Sequence, residues 1–141
     1  MAGAPRGGWR QQGGEILSRW NPASMCRKID AIAPLLEHAR ITNLDFAAVI
    51  RDEAERAALY CDPPYVTAGP VLYLHSFAEA DHVRLKNLLR HTEHRWLLSY
   101  DDHPMVWDLY ASFANIEKVE MRYSATRNVK AHELLICPRS Q

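Results

Sequence analysis

A chain of 141 residues fits one domain, and its 48% apolar content is enough to bury a core of ordinary size. Its 17 basic and 17 acidic residues cancel, so overall charge lends no support to nucleic-acid binding through a broadly basic surface. No stretch is long and apolar enough to span a bilayer and the N-terminus has no apolar leader core, so a cytoplasmic protein without a membrane partner is expected.

Residues 1–20 open with a Gly-, Arg- and Gln-rich stretch whose composition predicts a flexible lead. Basic residues (Arg6, Arg10, Arg19, Arg27, Lys28, Arg40) outnumber Glu15, Asp30 and Glu37 in the first part, an excess that a solvated face would also show. A helix is predicted over residues 22–39, capped by Asn21 and opened by Pro22, with Pro34 predicting a kink or two shorter pieces. Residues 39–45 read as a short strand and residues 46–55 as a helix carried by Phe46, Val49 and Ile50. Residues 57–61 read as a buried strand that runs into the rigid loop Asp62-Pro63-Pro64-Tyr65. Residues 77–91 form an amphipathic helix with Val83, Leu85, Leu88 and Leu89 inward. A second apolar strand at 95–100 ends in Asp101-Asp102-His103-Pro104, and a helix follows over 105–113. Strands at 116–123 and 132–137, joined by a polar segment, predict a closing hairpin. The three cysteines, Cys26, Cys61 and Cys137, are far apart and odd in number, which predicts buried free thiols and no zinc or disulfide framework. The seven histidines show no metal-binding spacing.

Strands alternating with helices predict an α/β fold with a mainly parallel sheet and an antiparallel end. Ligands of such sheets bind beyond the C-terminal ends of the strands. Three polar clusters fall there: Asp45-Phe46, Asp62 to Tyr65, and Ser99 to His103.

The Asp-Pro-Pro-Tyr segment suits one chemistry in particular. An exocyclic adenine amine is a poor nucleophile because its lone pair is delocalised into the ring. Methylating it requires acceptors for both N–H hydrogens that favour a tetrahedral nitrogen as the bond forms. The Asp62 carboxylate can take one hydrogen and the Pro63 carbonyl the other, placing charge where the transition state needs it. Pro63 and Pro64 fix φ and restrict the residues before them, so the acceptors are preorganised. Tyr65 offers a flat ring for a base taken out of the duplex, with stacking worth roughly 1–3 kcal/mol per base. The competing reading is a Pro-Pro loop that merely ends a strand.

Leu59-Tyr60-Cys61-Asp62-Pro63-Pro64-Tyr65 resembles the catalytic motif of the Dam-like DNA adenine N6-methyltransferases, a family that includes phage and restriction-modification members. Asn43-Leu44-Asp45-Phe46-Ala47-Ala48-Val49-Ile50 is similar to the segment upstream of that motif. The run from Trp96 to Asp102, Leu109-Tyr110, Tyr123-Ser124 and the run from Glu133 to Ile136 resemble later family segments in the same order.

The resemblance implies S-adenosylmethionine as methyl donor, double-stranded DNA as partner and no metal. It implies that Asp62, Pro63, Pro64 and Tyr65 hold the target adenine, that Asp45, Phe46 and Asp62 lie against the cofactor, and that Tyr123 approaches the flipped base. Phe46 as a core aromatic and Tyr123 as an ordinary sheet residue stay open, and Asp101-Asp102 reads better as a solvated turn than as a metal pair. The family's Phe-x-Gly-x-Gly loop and the strand before it have no counterpart here. An incomplete Rossmann-like S-adenosylmethionine methyltransferase fold is therefore expected, with its central N-terminal strands missing. On this expectation, residues 21–38 are a remnant of a target-recognition region and 39–141 the C-terminal half of a catalytic domain. A partner chain would supply the remainder. Methylation of an RNA base or a protein amide, and a silent module that binds nucleic acid or a partner, are the alternatives.

Overall fold

The computed structural model describes residues 21–52, 56–123 and 129–139, which fall into two compact units, one within Ala4–Asn43 and one within Leu44–Gln141. The lead at 1–20 and residues 124–128 of the polar connection lie outside the described residues.

In the first unit, helix α1 (Pro22–Leu36) begins as its sequence dictates. The Asn21 side chain accepts from the Ser24 N–H at 2.9 Å, and Pro22 stands where a missing N–H costs nothing. Two shorter pieces, one of the two effects expected of Pro34, do not form. Pro34 lies in the final turn, so the helix runs on to Leu36 and ends there, with the Glu37 and Ala39 N–H groups returning to the Pro34 and Leu36 carbonyls.

Residues 39–45, expected as a strand, form none. Extended backbone becomes a strand only where a neighbour completes the ladder, and none of the described strands pairs with it.

The second unit is α/β. Helix α2 (Phe46–Ile50) is followed by strand β1 (Ala58–Cys61), the short helix α3 (Gly69–Leu72), helix α4 (Glu79–His91) and strand β2 (Arg95–Asp101). Helix α5 (Pro104–Tyr110) and strands β3 (Ala114–Tyr123) and β4 (Val129–Pro138) complete it. The sheet order is β1-β2-β4-β3, with β1 parallel to β2 and both other pairings antiparallel. The expected mainly parallel sheet is thus mixed among the described strands, because β4 lies between β2 and β3 and runs antiparallel to both.

Alternation along β2 sorts the two faces. Trp96, Leu98 and Tyr100 are buried, as are Leu134 and Ile136 on β4. Together with Ile50 of α2, Leu85 and Leu89 of α4, and Val106 and Tyr110 of α5 they form the core. On the other side Tyr60 and Leu97 are exposed. Strand β1, read as buried from its apolar sequence, stands at the edge among the described strands and alternates between exposed and half-buried residues.

Helix α4 turns Leu85 and Leu89 inward and half-buries Leu88, but Val83 is 37% exposed, contrary to its expected inward position. His82 takes the inward place in that turn. The Asp81 side chain accepts from the Ala78 N–H at 3.1 Å and ties down the first turn of α4. All three cysteines are free, yet none is fully buried: Cys26 is exposed on α1, which buries no residue, and Cys61 and Cys137 are half-buried. Among the described residues no helix is long and apolar enough to cross a membrane.

Candidate active site

Strands β1 and β2 run parallel with Cys61 opposite Leu98, so the residues that follow Cys61 lie beside Ser99, Tyr100 and Asp101. This register assembles the site. The buried Ser99 hydroxyl lies 2.8 Å from Asp62 Oδ1 and 3.4 Å from the Cys61 carbonyl, and it is reached by the Tyr60 hydroxyl at 3.3 Å. A hydroxyl has one hydrogen to give, and the shorter contact identifies Asp62 as its acceptor. Ser99 therefore fixes one carboxylate oxygen and leaves Oδ2 unclaimed among the described residues. Asp62 itself is exposed and makes no ion pair among the described residues.

The loop beyond Asp62 is held at every step. Asp101 accepts from the Val66 N–H at 3.0 Å through Oδ1 and from the Thr67 N–H at 2.8 Å through Oδ2. The Gly69 N–H donates to the Tyr65 carbonyl at 2.7 Å. Gly69 is buried against Pro64, so close that an added Cβ would stand 3.2 Å from the Pro64 Cβ. Sequence reasoning set Asp101 aside as a solvated turn residue. Its role comes from a contact 35 residues away, and only its place at the end of an apolar strand hinted at it.

Tyr65 is half-buried and packs against Tyr100, with ring centroids 6.2 Å apart and planes tilted by 38°. Burial pushes its phenol well above the ordinary tyrosine value, the Ser99 hydroxyl opposes the rise, and the charges of Glu133 and Asp62 add to it. The ring stays a neutral phenol at physiological pH, a flat surface and not an anion.

The second expected cluster is joined to the first through rings. Phe46 packs on Phe77 at 5.3 Å, Phe77 on His82 at 5.3 Å, and His82 on Tyr100 at 5.5 Å, which leads to Tyr65. His82 Nδ1 and the Tyr100 hydroxyl are 2.6 Å apart in the interior. Burial lowers the imidazole below its ordinary value, so the neutral ring and the Tyr100 hydroxyl share this hydrogen bond. Phe46 is thus part of the core's margin while its ring also carries the Arg84 guanidinium, 4.2 Å from the centroid. Asp45 caps α2 by accepting from the Ala47 N–H at 2.9 Å through Oδ1, and accepts from Arg84 at 2.7 Å through Oδ2. Arg84 holds its carboxyl below the usual carboxylate range, assisted by the Ala47 N–H.

Asp102 is not an idle turn residue either. It accepts from Trp107 Nε1 at 2.9 Å and from Lys118 at 2.6 Å, and these two bonds lower its carboxyl. No group of three or more metal-ligating side chains occurs among the described residues. The backbone of Tyr123 pairs with Val129, and its side chain lies outside the described side chains.

The geometry accordingly brings Asp62, Pro63, Pro64 and Tyr65 to the end of β1 under the control of Ser99 and Asp101. It links that end by a row of rings to Asp45 and Phe46. A search of curated proteins found no match to the chain. A protein-family model, that of the D12 class N6 adenine-specific DNA methyltransferases, matches residues 6–125, which include both clusters and most of the sheet. The chain therefore belongs to the D12 class N6 adenine-specific DNA methyltransferase family.

Proposed function

We propose that this chain forms the base-binding part of a site-specific methyltransferase that modifies the N6 amine of adenine in double-stranded DNA. Within the family, the run from Leu59 to Tyr65 and its flanks resemble the Dam-like branch. The observation that carries the reading is the fixed carboxylate of Asp62, with Oδ1 held by Ser99 at 2.8 Å and Oδ2 open to solvent beside Tyr65. On this reading Oδ2 accepts one hydrogen of the amine and the Pro63 carbonyl accepts the other. Both draw the nitrogen lone pair out of conjugation as the new bond forms. The half-buried Tyr65 ring carries the flipped base, and its backing by Tyr100 keeps it from turning away. Tyr123 is assigned to the edge of the same base.

S-adenosylmethionine supplies an electrophilic methyl group when bound. Asp45 and Phe46 fit its adenosine: a carboxylate oxygen stands beside an aromatic face, and the pair already receives a planar donor in Arg84. Asp62 would border its methyl end.

A second reading, a non-catalytic module that binds nucleic acid or a partner chain, draws on the edge position of β1, which leaves one side of the motif strand unpaired among the described strands. One assay separates the two. Labelled methyl transfer to unmethylated DNA is measured for the chain alone and for the chain mixed with a polypeptide that bears the family's glycine loop. The enzyme reading expects transfer in at least one arm, abolished by Asp62→Ala and sharply reduced by Tyr65→Ala. Absence of transfer in both arms, with DNA binding intact, supports the silent module instead.

A further inference from the structure

Resting on the reading of Asp45 and Phe46 as adenosine partners, we propose that Arg84 occupies the place of the adenine ring. Its displacement then sets the chain's affinity for an adenosyl group. The guanidinium is planar, stands 4.2 Å over the Phe46 ring and donates a hydrogen to Asp45 Oδ2 at 2.7 Å. An aminopurine makes the same two demands: an aromatic face to stack on and an acceptor for its amino hydrogens. The two groups compete for the same ring surface and the same carboxylate oxygen. Asp45 Oδ1 is committed to the Ala47 N–H, so turning the carboxylate to offer another oxygen would uncap α2. Phe77 already packs against Phe46, so guanidinium and heterocycle contend for what remains of that ring's surface.

Arg84 has somewhere to go. It borders an open groove of about 930 Å³, lined also by Ile50, Arg51, Asn87, Leu88 and His91, and its side chain is 44% exposed where it stands. None of the residues from Asp62 to Tyr65 lines this groove, so the movement leaves the catalytic loop untouched. Exposed ion pairs and cation–π contacts are each weak, so the competition lowers affinity by roughly three- to thirtyfold without closing the site.

The test is adenosine binding by calorimetry, with S-adenosylmethionine in parallel, for the unaltered chain, Arg84→Ala, Arg84→Lys, Phe46→Ala and the double variant Arg84→Ala/Phe46→Ala. Adenosine is uncharged, so a gain in its affinity does not reflect the loss of a nearby positive charge. Arg84→Ala is expected to bind adenosine three- to thirtyfold more tightly, and Arg84→Lys to fall between it and the unaltered chain because an ammonium keeps the ion pair but has no flat face. In the unaltered chain, the Arg84 Nε resonance should move on addition of adenosine. Unchanged or weaker adenosine binding by Arg84→Ala overturns the proposal, as does binding by neither protein at millimolar adenosine. If Arg84→Ala binds more tightly but the added Phe46→Ala has no effect, the adenosine assignment of Phe46 fails and the proposal falls with it. If Phe46→Ala alone weakens binding and Arg84→Ala does not strengthen it, only the competition is refuted.

Discussion

Replacing Asp101 by alanine removes both acceptors that hold the loop after Tyr65. The Val66 bond, at 3.0 Å, is partly buried, and the Thr67 bond, at 2.8 Å, is exposed. Hydrogen bonds to a charged partner contribute about 1.5–3 kcal/mol each, but an exposed N–H that loses its acceptor finds water. The Val66 bond therefore counts near full value and the Thr67 bond at a fraction, which gives a loss of about 2–3 kcal/mol. Asp101→Asn keeps one acceptor and turns an N–H₂ toward the other amide, so about half of that loss is expected.

Urea unfolding should show a lower midpoint with an unchanged slope, since the buried surface is the same. Native-state hydrogen exchange gives the sharper reading, because a loss of about 2 kcal/mol in the clamp alone speeds exchange of the Val66 and Thr67 amides roughly thirtyfold. Amides in the middle of β2 should follow only the global change. If the two loop amides exchange at the same rate in Asp101→Ala as in the unaltered chain, the clamp does not hold the loop and the argument for preorganised acceptors is refuted.

Tyr110→Phe should be neutral or stabilising by up to about 1 kcal/mol in thermal unfolding, since the Tyr110 hydroxyl is buried without a hydrogen-bond partner among the described residues. Acid should weaken the fold through His82. Its folded value lies below the ordinary 6.5, so the unfolded chain takes up the proton first and stability falls as pH drops below 6.5, by at most about 1.4 kcal/mol per pH unit. The fall ends once the folded imidazole also protonates. His82→Gln, which keeps a hydrogen-bonding partner for Tyr100, should remove that part of the slope in pH-dependent denaturation. Losses from Asp45 and Asp102, whose carboxyls are lowered from 3.8, belong to a lower pH window. Leu98→Ala, at a fully buried position in the centre of the sheet, should cost about 2–5 kcal/mol by chemical denaturation. Gly69→Ala should cost less and act on the loop, because the added Cβ meets Pro64 at 3.2 Å and must push it aside by a few tenths of an ångström.

Much of the fold was legible in the sequence because it rests on short-range physics. The Asn21 cap, the Pro22 start, the inward Leu85 and Leu89 and the strand before Asp62 all depend on neighbours within about four residues. The stiffness of Asp62-Pro63-Pro64-Tyr65 is of the same kind, written into two rings that fix φ. Where local pattern misled, a distant partner decided. Residues 39–45 have strand-forming side chains but no ladder, and Val83 has an apolar side chain on a turn whose inward place goes to His82.

The site divides along the same line. The groups proposed to react, Asp62, Pro63 and Tyr65, are ones the chain alone suggests, because their chemistry is carried by residue type and adjacency. Which oxygen of Asp62 is held, what ties the loop and what lies over Phe46 depend on Ser99, Asp101 and Arg84, each 34 or more residues from its partners. Those meetings follow from the parallel register that sets Cys61 beside Leu98 and from the packing of α4 against α2. Register and packing are collective properties of the whole sheet and core, and only the folded chain fixes them.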